Sequence, residues 1–151
     1  MAALLAVTAC AANVRTQGTS SLPSFTQYPA PPLYEGRAAS LVLSDETRAF
    51  RSRLQEAAKQ PVNFAGEYVL TLWGCGAGCV DGAVVSRKTG KVSMLPSALH
   101  VREEGGHALQ YRVDSRLLVM NGSFTEGGIS SRHCYTINGD IFVPVKAFGL
   151  R

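Results

Sequence analysis

The chain has 151 residues, a length that fits one domain, and 46% of them are hydrophobic whereas 17% are charged. This composition supports a packed core and does not favour intrinsic disorder. The formal net charge is only +4, and Lys and Arg are scattered along the chain instead of following one segment. The charge pattern therefore argues against nucleic-acid binding.

The N-terminal residues form an apolar run that ends in small side chains before Cys10. Such a run is typical of the later part of a secretory signal, and Val7-Thr8-Ala9-Cys10 resembles the lipobox of bacterial lipoproteins, whose cysteine sulfur receives a diacylglyceryl group. The run is far shorter than the roughly 20 residues that span a bilayer, and it lacks the usual initial Lys or Arg. We therefore interpret residues 1–10 as a signal segment whose start lies upstream, with lipid on Cys10. The alternative is a frayed cytosolic N-terminus with a chance cysteine.

The next segment, residues 11–43, is rich in Ser, Thr and Pro in its first part and has no sustained periodicity. This composition predicts a flexible tether. Together with Cys10 it indicates a domain on the periplasmic side of a bacterial membrane. Because Ala11, and not Asp, follows the lipid site, the outer membrane is favoured.

From Ser44 onward the pattern becomes regular, which places a single globular domain at residues 44–151. Ser44 can cap a helix, and Phe50, Leu54 and Ala57 recur on one face before Pro61 ends the segment. The spacing predicts one amphipathic helix of roughly four turns, ahead of the strands.

The rest of the chain reads as short strands joined by turns. Alternation and turn residues predict strands at residues 67–73, 80–86, 92–95, 109–113, 117–121, 133–137 and 141–145. Asn138-Gly139 between the last two strands is the strongest hairpin signal. The predicted fold class is α+β, with the N-terminal amphipathic helix packed on an antiparallel meander of about seven strands.

Besides Cys10 there are three cysteines, of which Cys75 and Cys79 lie in a glycine-rich loop. Glycine permits a tight reversal there, so the two sulfurs could form a disulfide across a short loop. A pairing of Cys79 with Cys134 is the competing possibility. Cys75, Cys79, His133 and Cys134 are also zinc-ligand types, but the C-x3-C spacing is not the usual knuckle and adjacent strand residues point apart. An exported location favours the disulfide, and we predict neither a metal nor a cofactor.

Several segments together resemble one family of small exported proteobacterial proteins. They are Asn63-Phe64-Ala65-Gly66-Glu67-Tyr68, Trp73-Gly74-Cys75-Gly76 with Gly78-Cys79, Lys88-Thr89-Gly90-Lys91 and Asp114-Ser115-Arg116-Leu117-Leu118-Val119. The resemblance covers most of residues 46–143, and the glycine–cysteine loop is its most specific part. It implies the fold and export, and no reaction.

No complete catalytic constellation is visible in the sequence. Cys134 and His133 are neighbours in a predicted strand and should not face each other. Among the carboxylates near loops, Glu67, Asp81 and Glu126 are candidates for an acid–base pair, with nothing in the sequence to show that they converge. His100 and His107 are interpreted as solvated loop residues.

The features that favour binding lie in two loops. The cysteine loop offers Gly76 and the neighbouring Trp73, and the polar loop before residue 133 offers Phe124, Ile129 and Arg132. Aromatic and Arg side chains in pinned loops are what interfaces use, although a Trp that ends a strand more often covers the core. We predict an envelope binding or interaction module whose partner is a protein or a cell-wall polymer, with no nucleic acid bound. The alternatives are an envelope hydrolase that uses a Cys or a carboxylate pair, and a purely structural spacer.

Overall fold

The computed structural model describes residues 22–101 and 108–145. These residues form eight strands in two four-stranded antiparallel sheets and one short α-helix. The helix α1 spans Arg51–Ala57, after a 3-10 turn at Thr47–Phe50. The strands are β1 Tyr68–Gly76, β2 Cys79–Ser86, β3 Val92–Met94, β4 Leu99–His100, β5 Leu109–Gln110, β6 Leu117–Gly122, β7 Ser131–Asn138 and β8 Ile141–Pro144.

The first sheet is built on the β1–β2 hairpin, whose register runs from Tyr68 opposite Ser86 to Gly76 opposite Cys79. The second half of β2 pairs with β3, and its first two residues pair with β4. The second sheet is a meander in the order β5-β6-β7-β8. Its last turn has Asn138 paired with Ile141 and Gly139 at a positive φ of 58°, which confirms the predicted Asn-Gly hairpin.

The sheets pack face to face around the main core. Its buried side chains include Phe64, Leu70, Val84, Leu118, Met120 and Ile137, which come from both sheets. The opposite face of the first sheet is covered by the helix, because Leu54 and Ala57 pack there against Val69 and Val85. The predicted single meander is thus two sheets, with β4 as an additional strand. One flat sheet would leave an apolar face in water, and stacking the sheets buries it.

The predicted four-turn amphipathic helix is wrong in length. Ser44 does close the start of this segment, since its hydroxyl accepts from the N–H of Thr47 while the Thr47 hydroxyl accepts from the N–H of Ser44. Phe50 then leaves helical geometry, at φ −103° and ψ 14°, and its ring stacks on Trp73 with centroids 4.8 Å apart. Packing decides the outcome here because so short a helix has little stability of its own.

The second part of the predicted flexible tether is not flexible but packed on the domain. Residues 22–43, called here the N-terminal strap, run along the domain and hydrogen-bond to it. Ala30 donates to the carbonyl of Asp114, Tyr34 to Gly66, Ala39 to Arg87 and Val42 to Gly90. The strap also covers a third apolar cluster on the outer face of the second sheet, where Phe25 and Tyr28 pack on Leu117 and Val119. The strap is therefore held by the partial burial of these two rings, although its sequence shows no periodicity.

Residues 1–21, with the proposed lipid site Cys10 and the first part of the predicted tether, lie outside the described residues. Within residues 22–101 and 108–145, no helix has the length and apolar character needed to cross a bilayer.

Candidate functional site

The strand directions divide the domain into two ends. The loop between β1 and β2, strand β4 and the loop between β6 and β7 lie at one end, called here the cysteine-loop end. The turns after β2 and β7 lie at the other, called the turn end, together with residues 65–67 that precede β1. The two loops singled out from the sequence therefore share one end of the molecule.

The cysteine loop is closed by a disulfide between Cys75 and Cys79, whose Cα atoms are 5.0 Å apart. The predicted pairing is confirmed, and Cys134 remains a free, buried thiol. A register shift between Gly74 and Gly76 bends β1 into the loop, and Gly78 takes a positive φ of 65°. Glycine is needed at such a position because a side chain strains a left-handed backbone. The sulfurs of Cys75 and Cys79 are bonded to each other and so are not thiolate ligands for zinc.

The loop of residues 123–130 is held in shape by its own hydrogen bonds. The Ser123 hydroxyl donates to the carbonyl of Thr125 and accepts from its N–H, and the N–H of Gly128 also donates to that carbonyl. A Cβ atom on Gly128 would lie 2.2 Å from Oγ of Ser123, so this close approach requires glycine. The next residue, Ile129, is 89% exposed.

Strand β4 connects these two loops. The N–H of His100 donates to the carbonyl of Ser123, and the N–H of Ser123 donates back to the carbonyl of His100. The N–H of Val101 donates to the carbonyl of Gly78. A cleft of about 250 Å³ opens between the loops; we call it the cysteine-loop cleft. It is lined in part by Gly78, His100, Ser123, Glu126, Gly128 and Ser130. Small side chains, hydroxyls and one imidazole make it a surface that can donate and accept hydrogen bonds.

The predicted surface residues divide between this end and the core. Three of them are exposed: Gly76, Ile129 and Arg132. Phe124 is half-buried because its ring stacks on the imidazole of His133, with ring centroids 3.9 Å apart. The prediction of Trp73 as a binding anchor is wrong, since only 7% of it is exposed. It faces α1, on the side of β1 away from the sandwich interior, which is the core role that strand-ending Trp residues commonly take.

The structure does not assemble a nucleophile and a base from Cys134 and His133. Cys134 lies under the strap beside Leu117 and Val119, on the outer face of β7. His133 points to the other face, and its Nε2 atom is buried with no hydrogen-bond partner among the described residues. Neighbouring residues of a strand point to opposite faces, as the sequence predicts.

The three candidate carboxylates lie in separate places. Glu67 is at the turn end, where it accepts a hydrogen bond from the Ser86 hydroxyl at 2.9 Å. Asp81 lies on β2 and accepts from the N–H of Gly82, whereas Glu126 lines the cysteine-loop cleft. They are not brought together as an acid–base pair.

His100 is the site residue that sequence reasoning missed, because it was assigned to a solvated loop. Its strand has two residues, which is too short for any alternation to be visible, and its pairing with Cys79 depends on residues far apart in the chain. His107 lies outside the described residues. Comparisons of the chain with models of protein families, with curated proteins and with solved structures found no match.

Proposed function

We propose that this protein is a binding module of the bacterial envelope, held by lipid on Cys10 and belonging to the exported family that its glycine–cysteine loop resembles. The cysteine-loop cleft and the neighbouring loop surface bind an envelope partner. The partner is a second protein or a cell-wall polymer, and no chemical conversion is required of the site.

The observation that carries this proposal is the exposure of Ile129. A loop fixed by the bonds of Ser123 and by the close packing of Gly128 presents an isoleucine that is 89% exposed, and the exposed Arg132 follows three residues later. Rigid loops with an apolar residue and an Arg lose little conformational entropy on binding, which is why interfaces use them. The disulfide shapes the facing loop in the same way.

The path of the strap supports a site directed away from the membrane. Phe25 and Tyr28 each accept a hydrogen bond from the Ser115 hydroxyl, just before β6 begins at the turn end. An anchor that precedes the strap therefore enters the domain at the end opposite the cysteine-loop cleft. The alternative, a hydrolase, has less support because Cys134 is covered and the candidate carboxylates are separated.

The experiment is photo-crosslinking in cells of the native host, with the protein expressed from its full reading frame. A photoreactive residue replaces Ile129 in one strain and Ile141 in another. Ile141 is the matched control because it is also an exposed isoleucine, at 68%, but lies on β8. We expect one discrete adduct from position 129 and none from position 141, and loss of that adduct when Arg132→Glu is added.

Equal labelling from both positions, or labelling that Arg132→Glu does not change, would contradict the proposal for a protein partner. Sedimentation with purified cell-wall sacculi tests the polymer partner, and Ile129→Asp should abolish it. Release of soluble sugar or peptide fragments from the sacculi would instead indicate the hydrolase. The mass of the mature protein tests the anchor, and an unprocessed chain without lipid on Cys10 would refute it.

A further inference from the structure

The turn end of the domain contains a second cavity, of about 230 Å³, far from the cysteine-loop cleft. Its walls come from segments distant in sequence: the strap at Pro31, the turn before β1 at Ala65, the turn after β2 at Thr89 and the turn after β7 at Gly139. Pockets for drug-sized ligands are usually larger, so this one suits a small molecule or the end of a chain. We call it the turn-end pocket.

The interior of this pocket is largely apolar, with Ala65 and Ile137 buried beneath it. The phenol of Tyr68 lies in the same wall and donates to the carbonyl of Gly139. Burial, and next the nearby carboxylates of Glu67 and Asp140, raise the pKa of Tyr68 above its usual range. The phenol therefore stays protonated, because the negative charges of Glu67 and Asp140 both oppose ionisation of its oxygen.

Four charged side chains line this pocket, two of each sign: Glu67, Asp140, Lys88 and Arg116. Glu67 accepts a hydrogen bond from the Ser86 hydroxyl and also lies beside the Tyr68 phenol. Asp140 forms an ion pair with Lys91 at 3.4 Å, whereas Lys88 forms no ion pair within the described part of the chain. Arg116 uses Nε on the carbonyl of Pro29 and one terminal nitrogen on Asn138, which leaves its other terminal nitrogen available. Lys88 and Arg116 therefore have donors left for a ligand, and the carboxylate of Glu67, which has about four acceptor sites, can take further hydrogen bonds.

The backbone beside the pocket is strained. Ala65 has a φ of 49°, and it is the one non-glycine residue with a positive φ in the described ranges. Its N–H donates to Arg112, and the N–H of the following Gly66 donates to Val113. A Cβ atom on Gly66 would lie 2.5 Å from the carbonyl oxygen of Pro31, so this turn holds the strap close to the site. Backbone outliers of this kind cluster at active sites and ligand-binding sites.

We propose that the turn-end pocket binds a small zwitterion with an ammonium and a carboxylate group, either a free amino acid or a dipeptide. Glu67 accepts from the ammonium, while Lys88 and Arg116 donate to the carboxylate. An inorganic anion would leave the carboxylate of Glu67 without a partner, and a divalent cation would leave Lys88 and Arg116 without one. A neutral apolar ligand would bury the charged groups without partners.

The test is an NMR titration of the full-length protein with dialanine, N-acetyl-dialanine and dialanine amide. The amide signals of Ala65, Thr89 and Gly139 report binding at the pocket. N-acetylation removes the positive charge and amidation removes the negative one, so we expect each change to weaken binding about tenfold or more, since hydrogen bonds between charged groups are the strong ones. Free alanine is added as a fourth probe: tighter binding than dialanine identifies an amino-acid ligand, and weaker binding identifies a dipeptide ligand.

Two variants separate the roles of the charges. Glu67→Gln should weaken the binding of dialanine and leave N-acetyl-dialanine unchanged, because the contact that it removes is already absent there. Lys88→Gln should weaken dialanine and leave dialanine amide unchanged, and it is an exposed residue whose loss does not endanger folding. Glu56→Gln, at an exposed ion pair with Lys59 on α1, is the control and should change nothing. The proposal is overturned if dialanine shifts none of the three amides, or if all probes bind equally.

Discussion

Trp73 offers the sharpest test of whether a residue of the candidate surface is core or contact. It is the only tryptophan in the chain, and it packs with Leu54 and Val85 beneath α1. Its ring also stacks on Phe50 and lies 6.0 Å from the guanidinium carbon of Arg53. Truncation of a buried Trp to Ala typically costs about 3–5 kcal/mol, and loss of the ring pair accounts for about 0.5–1.5 kcal/mol of that range. We expect Trp73→Ala to lower the free energy of unfolding by about 3–5 kcal/mol.

The assay is urea unfolding followed by far-ultraviolet circular dichroism, because the variant lacks the fluorescent side chain. A small domain has only about 5–15 kcal/mol of stability, so the shift in midpoint should be large. Ile129→Ala is the matched control, and its cost should stay within about 0.5 kcal/mol because the side chain is exposed. A cost below about 1 kcal/mol for Trp73→Ala, on the same scale of surface substitutions, would refute the core assignment and return Trp73 to the binding surface.

Three further predictions follow from the disulfide, the strap and Tyr68. Replacement of Cys75 and Cys79 by Ser should cost about 2 kcal/mol in urea unfolding, because the loop that they close is short; no loss would mean that the turn forms equally well without the bond. A chain that begins at Gly36 lacks the rings that cover Cys134, so its thiol should react with Ellman's reagent far faster than in the full chain, and equal rates would contradict the strap. The raised pKa of Tyr68 means that the unfolded state loses this proton first, so its contribution to stability is present below about pH 10 and is lost as the pH rises above it. Wild-type stability should therefore fall more steeply than that of Tyr68→Phe above that pH, and parallel curves would contradict the assignment.

The local parts of the fold could be predicted from the sequence. Alternation in residues 67–73 identified β1, and Asn138-Gly139 identified the last hairpin, because both signals depend on neighbours in the chain. The Cys75–Cys79 pairing was accessible for the same reason, since glycines and a short loop bring the two sulfurs together. Seven of the eight strands were found in this way, and only the two-residue β4 gave no signal.

The predictions for the strap, the helix and Trp73 were wrong for one reason. Contacts between residues far apart in the sequence decided these structures, and a local sequence pattern does not reveal such contacts. The strap reads as a tether because Phe25 and Tyr28 have no periodic context, yet they find an apolar surface on the second sheet. The helix begins only at Arg51 because the preceding Phe50 leaves helical geometry, with its ring stacked on Trp73. The same contact removes Trp73 from the binding surface.

By itself the sequence determined the disulfide loop and the positions of seven of the strands, because these depend on contacts between near neighbours in the chain. Only the tertiary structure decided which loops meet. It joined the cysteine loop to residues 123–130 through His100, and it gathered Glu67, Lys88, Arg116 and Asp140 around one pocket. Two sheets that fold over each other bring together turns separated by dozens of residues, and no local periodicity records that arrangement.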